Sequence, residues 1–170
     1  MGTLKGELVR LRPAERSDIP RLVEIRRHPR VYEFWRGGDD LVAAVEEDFA
    51  EDVEAYVIEL DDRVVGWIQW EAEEEPDYRH ASMDIYLDPE VHGRGVGTDA
   101  VRTLARHLIA EHGHHRLTID PAAHNETAIR CYTKVGFRPV GIMRQAERGP
   151  DGTWHDALLM DLLAEELTGP

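Results

Sequence analysis

Apolar and polar residues follow two periods along this chain, and each change of period marks a change of predicted secondary structure. Glu7–Glu15 alternates apolar with polar residues, which is typical of a β-strand. Two strands joined by a turn at Asp61–Asp62 are predicted next, and a final pair is joined by a turn at Arg148–Thr153. The strands predicted after the first are Ala55–Leu60, Arg63–Trp70, Ala81–Leu87, His115–Asp120, Phe137–Glu147 and Thr153–Leu163.

Four other segments are predicted as helices. The clearest places apolar residues at i, i+3, i+4, i+7 and i+8, with Gly113 as its expected end. Those apolar residues are Val101, Leu104, Ala105, Leu108 and Ile109. Asn125 is a plausible cap for a helix that ends at Gly136. The other two helices are predicted over Asp18–His28 and Asp39–Asp52.

This order of elements predicts a mixed α/β (α+β) fold, in which one layer of sheet carries helices on its faces. A length of 170 residues fits one domain, and we expect it to span 1–170. No repeat or linker interrupts the pattern. The chain is therefore expected to bury a single core.

Charge narrows the classes of function. The net charge is −14, from 20 basic and 34 acidic residues, which is the opposite of the balance expected for a nucleic-acid partner. The first 30 residues are charged throughout and no apolar run approaches membrane-spanning length. With Cys131 as the single cysteine, no internal disulfide can form. We expect a cytoplasmic protein without a membrane partner, as a monomer or homodimer.

The stretch Val91–Val101 places three glycines, Gly93, Gly95 and Gly97, between a predicted strand and a predicted helix. At such a junction, backbone N–H groups and the helix dipole together bind anions, typically phosphate. The spacing does not match G-x-G-x-x-G, and no Gly-Lys-Ser/Thr follows. The loop therefore predicts an anion site that is neither a dinucleotide fingerprint nor a Walker A motif.

The sequence HGRGVGT after a strand, followed by NETAIRCYTKVGF, resembles the GCN5-related N-acetyltransferase (GNAT) family. The resemblance covers nearly the whole chain and implies the GNAT fold, a mostly antiparallel mixed sheet of six to seven strands with about four helices. It also implies acetyl-CoA as cosubstrate and no metal, with Tyr132 beside the thioester sulfur. His92 departs from the Arg or Gln usual at its position. The residues implied to bind the coenzyme are Tyr86, Leu87, His92, Gly93, Arg94, Gly95, Val96, Gly97, Thr98, Asn125, Ala128, Arg130 and Lys134.

Two stretches, WEAEEEPDYRHASMDIYLDPE and LTIDPAAHNETAIRCYTKVGF, more specifically resemble the aminoglycoside 6'-N-acetyltransferases. In that subfamily, aspartates at the positions of Asp84 and Asp120 face the amine. The resemblance implies a small polycationic substrate and a resistance-type activity. Two close carboxylates raise one pKa, which makes that group a better base at neutral pH. Asp84, Asp120 and Tyr132 are the expected catalytic residues. Further substrate contacts are expected at Trp67, Trp70, Glu73, Glu74, Glu75 and Asp77.

Other functions stay open from the sequence. The opening GELVRLRPAERSDIPRL and the later HPRVYEFW resemble the acetyltransferases of ribosomal-protein N-termini, and polyamine or lysine acylation is a third option. A CoA-binding sensor module without chemistry is the non-enzymatic alternative, to which His92 points. Cys131 as a nucleophile is disfavoured because cysteine is commonly a small buried residue. The histidines 107, 112, 114 and 115 have no carboxylate or cysteine at a familiar metal-ligand spacing.

Overall fold

The structure is a computed structural model that describes residues 1–50 and 53–170, folded as one eight-stranded sheet flanked by five α-helices. The strands are β1 Leu4–Lys5, β2 Arg10–Pro13, β3 Glu54–Leu60, β4 Arg63–Glu73, β5 His80–Leu87, β6 Arg116–Ile119, β7 Arg138–Arg148 and β8 Trp154–Leu163. The helices are α1 Ile19–Arg27, α2 Pro29–Tyr32, α3 Leu41–Glu47, α4 Val96–Ala110 and α5 Glu126–Val135. None of the described helices is long and apolar enough to cross a membrane.

The sheet is antiparallel except at its centre. Its strand order is β1-β2-β3-β4-β5-β6-β8-β7, and only β5 and β6 run parallel. Their pairing is limited to Ala81 with Leu117 and Ser82 with Thr118. Beyond Ser82 the two strands separate, so Met83–Leu87 of β5 borders a gap in the middle of the sheet.

The direction of the β5 backbone at this gap follows from its pairing with β4. The N–H of Asp88 donates to the carbonyl of Val65 at 2.7 Å. Because backbone groups alternate sides along a strand, the N–H of Tyr86 also points to β4, whereas those of Ile85 and Leu87 point into the gap. In agreement, the N–H of Ile85 donates to the carboxylate of Asp84 at 3.1 Å rather than to a strand.

Both faces of the sheet are covered, which makes two buried clusters. Helices α4 and α5 cover one face, and Val101, Leu104, Ala105 and Leu108 of α4 are buried there as predicted. The other face packs on α1–α3 and buries Leu22 and Val45, among others. A central strand such as β4 consequently has no solvent-facing side along most of its length.

The sheet has one more strand than the six to seven expected, because Leu4–Lys5 forms a strand ahead of the predicted first strand, of which only Arg10–Pro13 is in the sheet. Leu4–Lys5 and Arg10–Pro13 are separate strands, and the turn between them is held by the buried Asp99 of α4. Its carboxylate accepts from the N–H groups of Glu7, Leu8 and Val9 at 3.0, 2.7 and 2.9 Å. Asp99 therefore ties the N-terminal segment to the first turn of α4.

Helix boundaries agree with the predictions where a local signal sets them. Asn125 caps α5 and Gly136, with φ of 121°, ends it. Helix α2, which begins with Pro29, was not predicted and brings the helix count to five. The predicted helix over Asp39–Asp52 is the shorter α3, and residues 51–52 of that prediction lie outside the described residues.

Candidate active site

A cleft of about 880 Å³ opens where β5 and β6 separate. Its walls come from the glycine loop with the start of α4, from α5, from the end of β5 and from β7. Volumes of 300–1,000 Å³ are typical of small-molecule sites. The cleft joins an anion-binding loop at one end to a group of carboxylates at the other.

The glycine loop presents the N-terminus of α4 to the cleft. Gly93 and Gly95 have φ of 73° and 79°, and Gly95 is the residue before the helix starts at Val96. At Gly97, a Cβ atom would lie 3.1 Å from Leu87 Cδ1 and 3.3 Å from Cys131 Sγ. The loop path thus depends on glycine at these positions, and the free N–H groups of the first helical turn suit a phosphate.

Helix α5 forms the opposite wall. The side-chain oxygen of Asn125 accepts from the N–H of Ala128 at 3.2 Å, which leaves its amide NH₂ to face the cleft that Asn125 lines. Arg130 and Lys134 line the cleft further along the helix. This wall therefore offers one amide donor and two cations to a ligand.

His92 lines the cleft beside the glycine loop. Burial lowers the pKa of its imidazole below the usual value, so the ring is neutral at pH 7. It can then supply a hydrogen bond to a phosphate but not a charge. Arg30 of α2 is exposed and lines the same end of the cleft. It supplies a cation that the sequence analysis did not predict.

The two predicted aspartates lie in the same end of the cleft. Asp84 is on β5 in the gap, and Asp120 directly follows β6. Solvent reaches Asp84 within the cleft, but the surrounding protein disfavours its charge. Partial loss of hydration inside the cleft, reinforced by the charge of Asp120, raises the pKa of Asp84 to about 7. Burial and the charge of Glu147 raise the pKa of Asp120 as well.

Tyr132 of α5 is 6% exposed and also lines the cleft. Burial raises the pKa of its phenol well above 10, and the charges of Asp84 and Asp120 act in the same direction. Tyr132 therefore stays protonated at any physiological pH. A neutral phenol and a carboxylate that titrates near pH 7 form a proton donor and a proton acceptor within one cavity.

Cys131 packs against the glycine loop. Its sulfur accepts from Thr98 Oγ1 at 3.5 Å, and burial raises the pKa of the thiol. A protonated thiol is a poor nucleophile. The geometry gives Cys131 a packing contact between α5 and α4, and the expectation against covalent catalysis stays a prediction.

This arrangement has a counterpart among known proteins. A profile of the acetyltransferase (GNAT) domain matches residues 9–138, which is most of the chain. The chain is a GNAT acetyltransferase. Proteins of this fold use acetyl-CoA. The resemblance inferred from the glycine loop and the Asn125–Phe137 stretch is confirmed.

Similar proteins include aminoglycoside acetyltransferases and a further acetyltransferase structure. An aminoglycoside N(6')-acetyltransferase type 1 from Klebsiella pneumoniae is 28% identical, over 88% of this chain and 82% of the relative. A solved structure of AAC(6')-Ib with paromomycin and acetyl-CoA superimposes with a TM-score of 0.78 at 28% identity, covering 96% of this chain and 99% of the other. RimJ of Mycobacterium smegmatis, solved with CoA-disulfide, gives a TM-score of 0.84 at 26% identity, covering 99% and 88%.

Two tryptophans expected to face the substrate of the acetyltransferase are core residues instead. Trp67 is 0% and Trp70 6% exposed. Trp67 packs against Phe49 in one cluster, with ring centroids 5.2 Å apart, and Trp70 packs against His112 in the other, at 4.7 Å. Helices cover both faces of β4, so neither ring is available to a sugar.

The acidic run is also displaced from the cleft. Glu73 ends β4 opposite His80, and the turn that follows carries the rest of the run to the far end of the β4–β5 hairpin. Glu74 forms an ion pair with Arg79 at 3.1 Å. The expected substrate contacts that do not line the cleft are Trp67, Trp70, Glu73, Glu74, Glu75 and Asp77.

One predicted coenzyme residue, Arg94, does not line the cleft. Arg94 lies on a separate cavity of about 90 Å³, together with Asp61 and Arg63, because the loop turns its side chain away from the cleft. The other predicted coenzyme residues all line the cleft. Their contact with coenzyme stays a prediction.

Several cleft residues of the acetyltransferase had no motif to reveal them. Glu33, Phe34 and Trp35 follow α2, and His124 and Glu147 come from two other parts of the chain. His124 Nε2 lies 3.4 Å from a carboxylate oxygen of Glu33. The run EFW was the one sequence feature that could have indicated them, and a run of this kind does not predict which face of the fold it occupies.

No group of three or more potential metal ligands occurs among residues 1–50 and 53–170. His107 and His112 contact each other at 3.3 Å between their Nε2 atoms, on the side of the sheet where Trp70 packs. Burial lowers the pKa of the His114 imidazole, which is 1% exposed. These histidines are packing residues of the core under α4.

Proposed function

We propose that this acetyltransferase transfers the acetyl group of acetyl-CoA to a primary amine of a small polycationic substrate, the 6'-amine of an aminoglycoside. The observation that carries the proposal is one cleft that joins the N-terminus of α4 to Asp84, Asp120 and Tyr132. The similarity to aminoglycoside N(6')-acetyltransferases at 28% identity supports the choice of substrate.

The residues along the cleft fit acetyl-CoA. The N–H groups that begin α4 suit the pyrophosphate, with Arg30, Arg130 and Lys134 as cations around it. The amide of Asn125 and the N–H groups of β5 that point into the gap suit the polar groups of the pantetheine arm. When bound, acetyl-CoA supplies the activated acyl group and a thiolate leaving group.

Asp84 is the general base of the proposed mechanism. The substrate amine arrives mostly as an ammonium and needs to lose a proton before it can attack. A carboxyl with a pKa of about 7 is half ionised at neutral pH and accepts that proton far better than an ordinary aspartate. Asp120 holds the ammonium and raises the basicity of Asp84 by its charge.

Two groups serve the departing thiolate and the oxyanion. Tyr132, which stays protonated, donates to the sulfur as the thioester breaks. The N–H of Leu87 points into the gap and is placed to donate to the oxyanion, whereas that of Tyr86 faces β4. This choice of Leu87 follows from the register of the β4–β5 pair.

Release of CoA thiol with a panel of amines tests the function. With acetyl-CoA present, kanamycin-type sugars should release thiol, and spermidine and a peptide with a free N-terminus should not. Asp84→Asn should lower kcat by about 100-fold or more, on the scale of general-base catalysis, while the Kd for acetyl-CoA stays unchanged. Wild-type kcat/KM should rise with pH through about 7 as Asp84 ionises.

Asp77→Asn is the matched control, because Asp77 lies outside the cleft lining and its loss should leave kcat unchanged. An unchanged kcat in Asp84→Asn would remove this residue from the mechanism. Thiol release with the peptide and not with any sugar would replace the proposed substrate.

That peptide outcome has its own support. RimJ of Mycobacterium smegmatis matches at 26% identity with a TM-score of 0.84, over 99% of this chain. The second candidate function is therefore N-terminal acetylation of a protein. The same cleft and catalytic residues would serve it, and the peptide of the panel would be the acceptor.

A further inference from the structure

A break in the register of β7 turns one acidic side chain toward the cleft. The pairing of β7 with β8 shifts between Met143 and Glu147, and Gln145 within the break has φ of 49°. The N–H of Gln145 donates to the carboxylate of Asp156 at 2.8 Å, which fixes the bulge. Bulges re-aim side chains next to active sites. Glu147, directly after the bulge, lines the cleft.

Glu147 is held from outside the cleft by Arg36. Arg36 Nη2 donates to Glu147 Oε1 at 3.0 Å, across 111 residues of sequence, and Arg36 Nη1 donates to the carbonyl of Glu33 at 3.0 Å. Both side chains are partly buried, at 23% and 34% exposure. A guanidinium anchored at two points orients the carboxylate rather than merely neutralising it.

The charge of Glu147 reaches the catalytic carboxylates. Of the charges that act on Asp120, that of Glu147 comes first, and it also acts on Asp84. The bond from Arg36 uses Oε1, and the Oε2 oxygen of Glu147 has no side-chain hydrogen bond within the described ranges 1–50 and 53–170. An oriented carboxylate oxygen beside the place where the reacting amine sits suits a second ammonium.

We propose that Glu147, oriented by Arg36, binds a second ammonium group of the substrate and thereby selects polyamines over monoamines. This inference rests on the proposed amine acetylation in the same cleft. Glu147 determines specificity and takes no proton from the reacting amine. Arg36 is a positioning residue that acts through Glu147.

The test compares kcat/KM for pairs of substrates that differ in the number of amines. Kanamycin is paired with 6-amino-6-deoxyglucose; 1,3-diaminopropane and propylamine form a second pair, which applies if the enzyme accepts simple amines in place of sugars. Glu147→Gln should lower kcat/KM for the polyamines about fivefold or more through KM, the order of one partly exposed charge pair. Any change that loss of the Glu147 charge makes to the pKa of Asp84 and Asp120 acts on both members of a pair, so the ratio of polyamine to monoamine kcat/KM should fall by the same factor.

Glu126→Gln is the matched control, since Glu126 is a carboxylate of the same cleft on the coenzyme wall. It should leave the ratio of polyamine to monoamine kcat/KM unchanged. An equal loss of selectivity in Glu126→Gln would assign the effect to the net charge of the cleft and overturn the proposal.

Arg36 provides the second arm of the test. Arg36→Met should lower the same ratio, and Arg36→Lys should restore part of it. The double variant Arg36→Met/Glu147→Gln should be no more impaired than Glu147→Gln. Wild-type selectivity in the double variant would mean that Glu147→Gln acted only by leaving an unopposed guanidinium, which would refute the docking role.

The two proposals fail separately. Turnover of kanamycin with a ratio insensitive to Glu147→Gln would overturn this inference and leave the proposed function intact. Turnover of 1,3-diaminopropane but not of kanamycin, with a ratio sensitive to Glu147→Gln, would sustain the inference and remove the aminoglycoside. An enzyme inactive on every amine of the panel would overturn both.

Discussion

Single residues act in this protein through the surroundings that the fold gives them. Asp84 and Tyr132 have ordinary side chains, but burial moves the pKa of one toward neutrality and that of the other far above it. Their identities were open to prediction because a motif carries them. Trp67 was misjudged because alternation along a strand does not say whether one face or both are covered by helices.

Tyr132→Phe tests the catalytic role of a single hydroxyl group. Loss of the hydroxyl removes the proton donor from the sulfur side of the cleft, so turnover should fall by about 100-fold, within the range of general-acid catalysis. The Kd for acetyl-CoA and the melting temperature should change little, because the ring packs against Phe137 as before. Single-turnover kinetics under saturating acetyl-CoA measures the chemical step. Normal turnover would reduce Tyr132 to a packing residue.

Among the elements, those with local stop and start signals were predictable and those set by distant contacts were not. Helix α5 runs from its Asn125 cap to Gly136, both visible in the sequence. The turn that separates β1 from β2 depends on Asp99, which is 90 or more residues away in sequence from the N–H groups that donate to it. A sequence pattern within one window cannot contain such a contact.

Asn125 combines two roles at the element scale, and two variants separate them. Asn125→Ala removes the cap of α5 and should cost about 1 kcal/mol, or about 2–4 °C in melting temperature. Asn125→Ser keeps a capping oxygen but lacks the amide, so it should retain stability. Both variants should weaken acetyl-CoA binding, as measured by titration calorimetry. Normal affinity in Asn125→Ser would confine Asn125 to the helix cap.

The whole molecule is divided by the gap between β5 and β6. Two residue pairs join the strands there, while β4 and β5 pair from Gly66 with Leu87 to Glu73 with His80. The cleft therefore sits where two central strands share only a short pairing. The GNAT fold was implied by the family resemblance, but the gap and the meeting of Arg36 with Glu147 were not, because they depend on the final arrangement of distant segments.

A ligand that spans the gap should stabilise the whole fold. CoA at 100 times its Kd should add about 2.7 kcal/mol to the free energy of unfolding, which differential scanning fluorimetry would report as a higher melting temperature. Adenosine 3',5'-bisphosphate at the same multiple of its own Kd is a control for the linkage and should give the same shift. At equal millimolar concentrations, CoA should give the larger shift, because its pantetheine arm also reaches β5. Equal shifts in melting temperature at equal concentrations would mean that CoA binds only through the glycine loop.

The bulge in β7 has a consequence for the outer border of the sheet. Strand β7 ends the strand order, so its outer row of backbone groups is unpaired, and Val140 and Ile142 on it are 53% and 54% exposed. An exposed edge strand of this kind can pair with a strand of another chain, which leads to aggregation. The kink at Gln145, with Pro139 and Arg144 nearby, interrupts it. The irregularity beside Glu147 thereby also makes the outer edge of β7 a poorer template for a further strand.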